Sequence, residues 1–316
     1  MKIGVSACLL GAEVRFDGQH KRSAFLTEQL APFVSWVSVC PEVEVGMGIP
    51  REPVRLVRGP GGRTSMRANG SGADWTDRMN ALAARRVEAL AREELSGYVL
   101  KAKSPSCGME RVKVHADGET DAQPKRDGVG LFARALRERL PNLPVEEDGR
   151  LEDARLRENF VERVFAYARV RRLFAERWTV GGLVAFHTAH KMQLLAHSTD
   201  GYRALGRLVG AAKGTARAEL RASYEAAFMA ILQKLATPGR HGNVLQHMLG
   251  HLKDQLDESD KHELLAVIED HRTGLVPLVV PVTLLRHHAR RLGVTYLLGQ
   301  TYLEPHPKEL MLRNHV

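Results

Sequence analysis

Three cysteines are the residues best placed to do chemistry in this 316-residue chain, and their surroundings match. Cys8 closes the run "KIGVSA" (2–7), Cys40 closes "WVSV" (36–39), and Cys107 follows "YVLKA" (98–102) by way of "KSPS". Short apolar, β-branched runs of this kind predict buried strands. Glycine or proline follows each cysteine within three residues ("CLLG", "CPE", "CGM"), which suits tight turns at strand ends. In an open parallel sheet the carboxyl ends of the strands line one edge, where ligands bind. Cysteines 32 and 67 positions apart can therefore converge. Three thiolates in one place suit zinc with a water as fourth ligand, or an iron–sulfur cluster. A 4Fe-4S cluster normally takes four cysteines; three would leave one iron open to bind a substrate atom as a Lewis acid. The competing possibility is three small buried apolar side chains, and the chain has no CxxC.

The elements that must position these residues alternate in the first half. Residues 25–33, 75–95 and 130–140 have helical patterns, and in the second of these Met79, Leu82, Val87, Leu90 and Leu95 recur at roughly helical spacing. Alternating strands and helices predict an α/β Rossmann-like domain with a parallel sheet. Residues 58–74 are Gly-rich and apolar-poor and predict a long loop; no GK[ST] follows its glycines, so a P-loop is unsupported. "PNLPVEEDGR" (141–150) clusters Pro, Gly and acidic residues as a linker does. Beyond it the character changes. Twelve of the 14 histidines lie in residues 151–316, and successive amphipathic stretches with Gly or Pro punctuation predict an all-α helical domain. The expected organisation is 1–150 α/β and 151–316 all-α.

The motifs "VSACLLG" with "VRFDG" (5–18), "VCPEVEVGMGIPREP" (39–53), "LKAKSPSCG" (100–108) and "DGVGLFARAL" (127–136) resemble the thiouracil desulfidase (TudS) family. "FHTAHKMQLLAHS" (186–198), "NVLQHMLGHLK" (243–253), "VPVTLLRHH" (280–288) and "YLLGQTYLEPHPKELMLRN" (296–314) resemble the helical YbgA-type domain. The fusion in this order resembles bacterial desulfidases of 4-thiouridine in tRNA. The resemblance implies a 4Fe-4S cluster on Cys8, Cys40 and Cys107 with one open iron. It also implies replacement of thiocarbonyl sulfur by water oxygen, with no net redox change and no electron-transfer partner. Such chemistry needs proton handling, and Glu42, beside Cys40, is the expected acid or base. The family pattern points to Ser104 as the catalytic serine, with Ser106 as a turn cap. Ser6 is placed to bond a cluster sulfide. Arg15, Asp17 and Lys21 of "VRFDGQHK" form either a structural turn with an ion pair or a substrate contact.

The net charge of +9 favours a polyanionic partner. Residues 1–150 hold 23 Lys+Arg against 20 Asp+Glu, and residues 151–316 hold 23 against 17, so the excess lies in the second half. Arg163, Arg169, Arg171, Arg172 and Arg177 predict one basic helix face. Arg286, Arg290 and Arg291 with His287 and His288 predict another, and Lys191 adds to the set expected to meet tRNA phosphates. His187, His190 and His197 fall on one helix face, and His247 and His251 are i, i+4; without an HExxH glutamate these read as core or RNA-facing histidines rather than metal ligands. Aromatics at 6% leave little for base-stacking platforms. No apolar run is long enough to span a membrane. The N-terminus is too quickly polar for a signal peptide, and an odd cysteine count argues against a disulfide framework, so a reducing cytoplasm is expected. The rival expectations are a desulfidase of free thiouracil or thionucleosides, and a non-enzymatic RNA-binding protein with structural cysteines.

Overall fold

The structure, a computed structural model, describes residues 1–117, 123–175 and 177–315. The chain divides into two compact units, Met1–Glu152 and Asp153–Val316. The first unit opens with β1 (Lys2–Ser6), β2 (Ser35–Val39), the short α1 (Pro41–Glu44), β3 (Val54–Arg58), β4 (Thr64–Ala68) and α2 (Thr76–Arg92). Then come β5 (Gly97–Leu100), β6 (Val112–Ala116), β7 (Lys125–Gly128), α3 (Leu131–Arg139) and β8 (Val145–Glu147).

Four strands form a wholly parallel sheet in the order β2-β1-β5-β8. The chain steps from β1 outward to β2, then crosses to β5 on the other side of β1. That reversal opens a crevice at the carboxyl ends of these strands. The two central strands, β1 and β5, read clearly in the sequence because they are apolar on both faces; Ile3, Val5, Val99 and Leu100 are fully buried. Gly4 stands opposite Tyr98, where a Cβ would come within 2.1 Å of the ring, so the two strands close only with glycine there.

Two expectations are corrected. Residues 58–74 are not a long loop: they hold β4, which pairs antiparallel with β3 in a second, mixed sheet of order β4-β3-β6-β7. "TSMRA" turns only Met66 and Ala68 fully inward, so its apolar content is that of a strand with one solvated side. "PNLPVEEDGR" is not a linker: it contains β8, buried at all three residues. Its glutamates hid the strand. They are buried with partners, Arg150 Nε donating to Glu146 at 2.7 Å and the Met109 amide to Glu147 at 2.6 Å.

Helix α2 buries Met79, Leu82, Val87 and Leu90, as their spacing predicts, and packs on α3 and on the second sheet through Leu56, Met66, Val112 and Leu131. Residues 25–33 are helical but not an α-helix: a π-helical turn (Phe25–Leu30) passes into a 3-10 turn (Ala31–Phe33).

The second unit consists of α4 (Ala154–Ala175), α5 (Val180–Ala189), α6 (Lys191–His197), α7 (Thr199–Gly210), α8 (Arg217–Leu232), α9 (Pro238–Leu249), α10 (Glu258–Arg272), α11 (Val279–Arg291) and α12 (Thr295–Leu298), with short helical turns between. Parallel-containing sheets with flanking helices are thus followed by a helical region. No described helix is long and apolar enough to cross a membrane. His187, His190 and His197 do not share one helix. The chain breaks at His190, between α5 and α6, and all three side chains are buried.

His197 lies 3.4 Å from Glu162. Burial works to lower this histidine, but Glu162 overcomes that and raises it. Burial likewise works to raise Glu162, and His197 and Arg313 hold it far below the usual carboxylate range. At the other shifted histidines burial is the largest cause and is not overcome. It pushes His190 down to about 4 and His241 down to about 3, and His187 and His306 also fall. A histidine lower in the folded than in the unfolded state leaves the unfolded chain binding more protons in acid, so stability falls as pH drops below about 6.5. His197 acts oppositely: its contribution is full below about 6.5 and is lost as pH rises through its raised value. Glu162 keeps its contribution until pH falls through its low folded value. Six lowered histidines in this unit, His247 and His251 included, outweigh the one raised. The helical signal in circular dichroism is expected to melt at lower urea concentration at pH 5 than at pH 7.5; a midpoint unchanged between the two refutes this.

Candidate active site

The three cysteines meet at the strand-order reversal. Cys8 lies two residues past β1 in the 3-10 turn Ala7–Leu10, Cys40 directly follows β2 as the N-cap of α1, and Cys107 sits in the turn after β5. All three line one cavity of about 350 Å³, a size ordinary for small-molecule sites.

The turn bearing Cys107 is the most tightly determined of the three. Lys103 adopts a left-handed φ of 65°, which turns the chain out of β5. The Ser104 hydroxyl then accepts from the amides of Ser106 (3.2 Å) and Cys107 (3.1 Å), a local cap of the kind serine readily makes. The turn's carbonyls cap α3 in turn: Leu131 N–H donates to Pro105 O (3.1 Å), and Phe132 and Ala133 donate to Ser106 O (3.0 and 3.1 Å). These are the first-turn amides a helix cannot satisfy itself. Gly130 makes the approach possible, since a Cβ there would lie 2.5 Å from Ser106 O and 2.9 Å from Cys107 N. The "DGVGLF" motif is thus the seat of the cysteine turn.

Burial pushes the Cys8 thiol up to about 11, with Lys101 pulling the other way and Cys40 adding to the rise. Cys40 and Cys107 are raised for the same first reason, and a hydrogen bond from Ser6 opposes the rise at Cys107. The cysteines thus lie within electrostatic reach of one another. Among the described residues, no three His, Cys, Asp or Glu side chains gather closely enough to hold a single ion.

Glu42, in the first turn of α1, has both oxygens engaged. Arg51 donates to Oε2 through Nε (3.0 Å) and Nη2 (2.5 Å). Ser106 Oγ donates to Oε1 at 2.8 Å, and Ser104 Oγ lies 3.4 Å from it. Ser104 lines the cavity, whereas Ser106 is fully buried and reaches it only through Glu42. The turn-cap role expected of Ser106 belongs to Ser104, whose oxygen is free to cap because it faces back over its own turn. Ser6, Arg15 and Lys21 line the cavity; Asp17 does not, and holds Arg15 at 3.4 Å instead.

Sequence reasoning missed Arg51, Lys101 and Lys103. All three line the cavity, and Lys101 is held by Asp148 at 2.8 Å. They stand inside the "GMGIPREP" and "LKAKSPSCG" stretches, but nothing in their type separates them from surface cations. Five basic side chains and one acid, Glu42, are among the described residues lining the cavity, a field suited to an anionic occupant or leaving group.

In the second unit the expected basic faces are broken up. Arg163 is buried against Asn159 (2.9 Å). His288 is buried, Arg286 pairs with Glu304 and Arg291 with Asp260. Arg172, Arg177 and Arg290 are exposed, while Arg171 and Lys191 are half-buried. Helix geometry explains this on α4: Arg169, Arg171 and Arg172 stand six, eight and nine positions from Arg163, so the four are spread around the helix and cannot share one solvated side. His247 and His251 are exposed, their rings 5.4 Å apart.

The chain belongs to the 2-thiouracil desulfurase family, which it matches over residues 3–148; residues 191–307 match a family of unknown function, DUF1722. It is 31% identical over 153 residues to the uncharacterized protein YbgA of Escherichia coli (strain K12), covering 48% of this chain and 90% of that one. It is 34% identical over 141 residues to the uncharacterized protein YbbK of Bacillus subtilis (strain 168), covering 41% and 93%. A solved structure of the [4Fe-4S]-dependent thiouracil desulfidase TudS is 30% identical, covering 48% of this chain and 93% of that chain with a TM-score of 0.39.

Gly130→Ala tests the seating of the cysteine turn. Backbone atoms at 2.5 Å cannot yield as a side chain would, and overpacking of this kind costs roughly 1–3 kcal/mol. Gly149→Ala, whose Cβ would meet only Ala102 at 3.7 Å, is the control. The urea midpoint should fall for the first and hold for the second; equal midpoints would remove Gly130 from this role.

Proposed function

We propose that this chain is a 4Fe-4S-dependent desulfidase that replaces the sulfur of 4-thiouridine in tRNA by oxygen, giving uridine and hydrosulfide. The observation that carries the reading is the single cavity lined by Cys8, Cys40 and Cys107 in a chain of the 2-thiouracil desulfurase family. The donor set fits the group. Three cysteines line one cavity, and five cationic side chains face the negative charge that thiolate ligation brings. Cys8, Cys40 and Cys107 would hold one iron each, and when bound the cluster supplies a Lewis-acidic metal for the thiocarbonyl sulfur.

The remaining work falls to the chain. A water oxygen bonds to the pyrimidine carbon, the carbon–sulfur bond breaks and sulfur leaves as hydrosulfide, with no electrons gained or lost. Glu42 takes one of the water's protons at Oε1, exchanging one hydroxyl partner for that water, while Arg51 fixes Oε2; the water's other proton leaves on the sulfur. Ser104, on the cavity wall, orients the substrate. Arg15, Lys21, Lys101 and Lys103 offset the charge on the departing sulfur. The net charge of +9 supports a tRNA substrate, whose target base must be extruded to enter the cavity. This reading places the protein in the cytoplasm and needs no electron-transfer partner. The family's description names the free base, which favours desulfidation of free thiouracil as a second reading.

Anaerobic reconstitution with iron and sulfide should give a brown protein that removes 4-thiouridine from tRNA, read in nucleoside digests, and releases hydrosulfide. Alanine at Cys8, Cys40 or Cys107 should lose bound iron and activity together. Glu42→Gln should keep the iron and lower kcat by about 10²–10⁴. Turnover of 2-thiouracil with tRNA untouched would establish the second reading, and a colourless, iron-free product would sink both.

A further inference from the structure

The second unit carries a recess of about 500 Å³ that the proposed chemistry does not use. Arg169, Arg172, Arg177, Trp178, Phe186 and His190 line it, and none of its described lining residues is acidic. Arg172 and Arg177 are exposed. The start of the ten-residue helix α5 opens onto the same recess through Thr179 and Gly182, Thr179 Oγ1 capping the Gly182 amide at 2.9 Å. Free guanidiniums beside a helix N-terminus make a phosphate site.

Two buried atoms deeper in the recess give a second, independent indication. His190 is 3% exposed, and its Nδ1 lies 2.7 Å from the carbonyl of Phe186. A carbonyl only accepts, so Nδ1 carries the proton. Burial, with Arg169 nearby, pushes this histidine down to about 4 and keeps it neutral at pH 7. Nε2 is then a bare acceptor, and it has no partner among the described residues. Arg169 donates through Nη2 to the Pro305 carbonyl, while its buried Nη1 has no partner among them either. An unmatched donor and an unmatched acceptor in one recess fit a hydroxyl group, which accepts from one and donates to the other. Trp178 and Phe186 add an apolar wall.

We infer that this recess binds one ribonucleotide of an RNA strand. Arg172, Arg177 and the α5 N-terminus take the phosphate, Arg169 and His190 share a ribose hydroxyl, and the base lies on Trp178 and Phe186. The hydroxyl contact is what distinguishes RNA from DNA. The inference deepens the tRNA reading above and rests on it for the identity of the strand.

The test is fluorescence anisotropy with the full chain and three probes: labelled tRNA, a single-stranded oligouridine and its 2′-deoxy counterpart. The double substitution Arg172→Ala with Arg177→Ala, both at exposed positions, should raise the Kd for tRNA about tenfold or more. It should also flatten the slope of log Kd against log salt by roughly 0.7–0.9, the loss of one phosphate contact. Wild type should prefer the ribo- over the deoxyoligonucleotide, and His190→Phe should abolish that preference; circular dichroism reports whether either variant is folded. If the double variant binds tRNA as wild type does, or if wild type holds both oligonucleotides equally, this inference is overturned while the tRNA reading stands. If wild type binds oligouridine through Arg172 and Arg177 yet leaves 4-thiouridine in tRNA intact, the site stands and the tRNA reading falls.

Discussion

The first unit depends on one exchange of hydrogen bonds: the carbonyls of Pro105 and Ser106 satisfy the opening amides of α3. Helix and turn each lack what the other supplies. The helix has no internal partners for its first amides, and a turn leaving a sheet edge has carbonyls that would otherwise be buried unpaired. Joining them fixes Cys107 relative to β5, and the parallel order β2-β1-β5 then carries Cys8 and Cys40 to the same edge. Glycine at 130 is the condition for both.

The two units handle enclosed carboxylates differently: Glu42 is half-buried and Glu162 fully so. Glu42 is pinned on one oxygen by a guanidinium and left with neutral hydroxyls on the other, an asymmetry that keeps one oxygen exchangeable. Glu162, in the helical unit, is enclosed by His197 and by Gln193, whose amide donates to it at 2.8 Å. The first arrangement suits proton transfer, while the second is a sealed network whose loss of either partner would strand a buried charge.

Much of the site was legible in the sequence because its chemistry is local. Each cysteine follows a short strand rich in β-branched or aromatic residues, and such runs announce themselves without any long-range information. Glu42 and Ser104 sit within three residues of a cysteine, so they arrive at the cavity with it. Arg51, Lys101 and Lys103 were not legible, because their roles come from partners and walls that only the fold assembles; Lys101 and Asp148 are 47 positions apart. The second sheet was hidden because β4 buries one side only, and β8 because its two glutamates are inside with partners. In the helical unit the basic residues of α4 looked like a face, yet Arg163 and Arg172 point to opposite fates, one into the core and one to solvent.

The capping of α3 by the cysteine turn also fixes how that turn can change. A segment whose carbonyls are already committed to particular helix amides has no slack in its length. Inserting or deleting one residue between Ser104 and Gly108 would shift the helix register along with the sulfur, so drift at this place is confined to exchanges of side chain. A fourth thiol at this edge would have to come from another part of the unit.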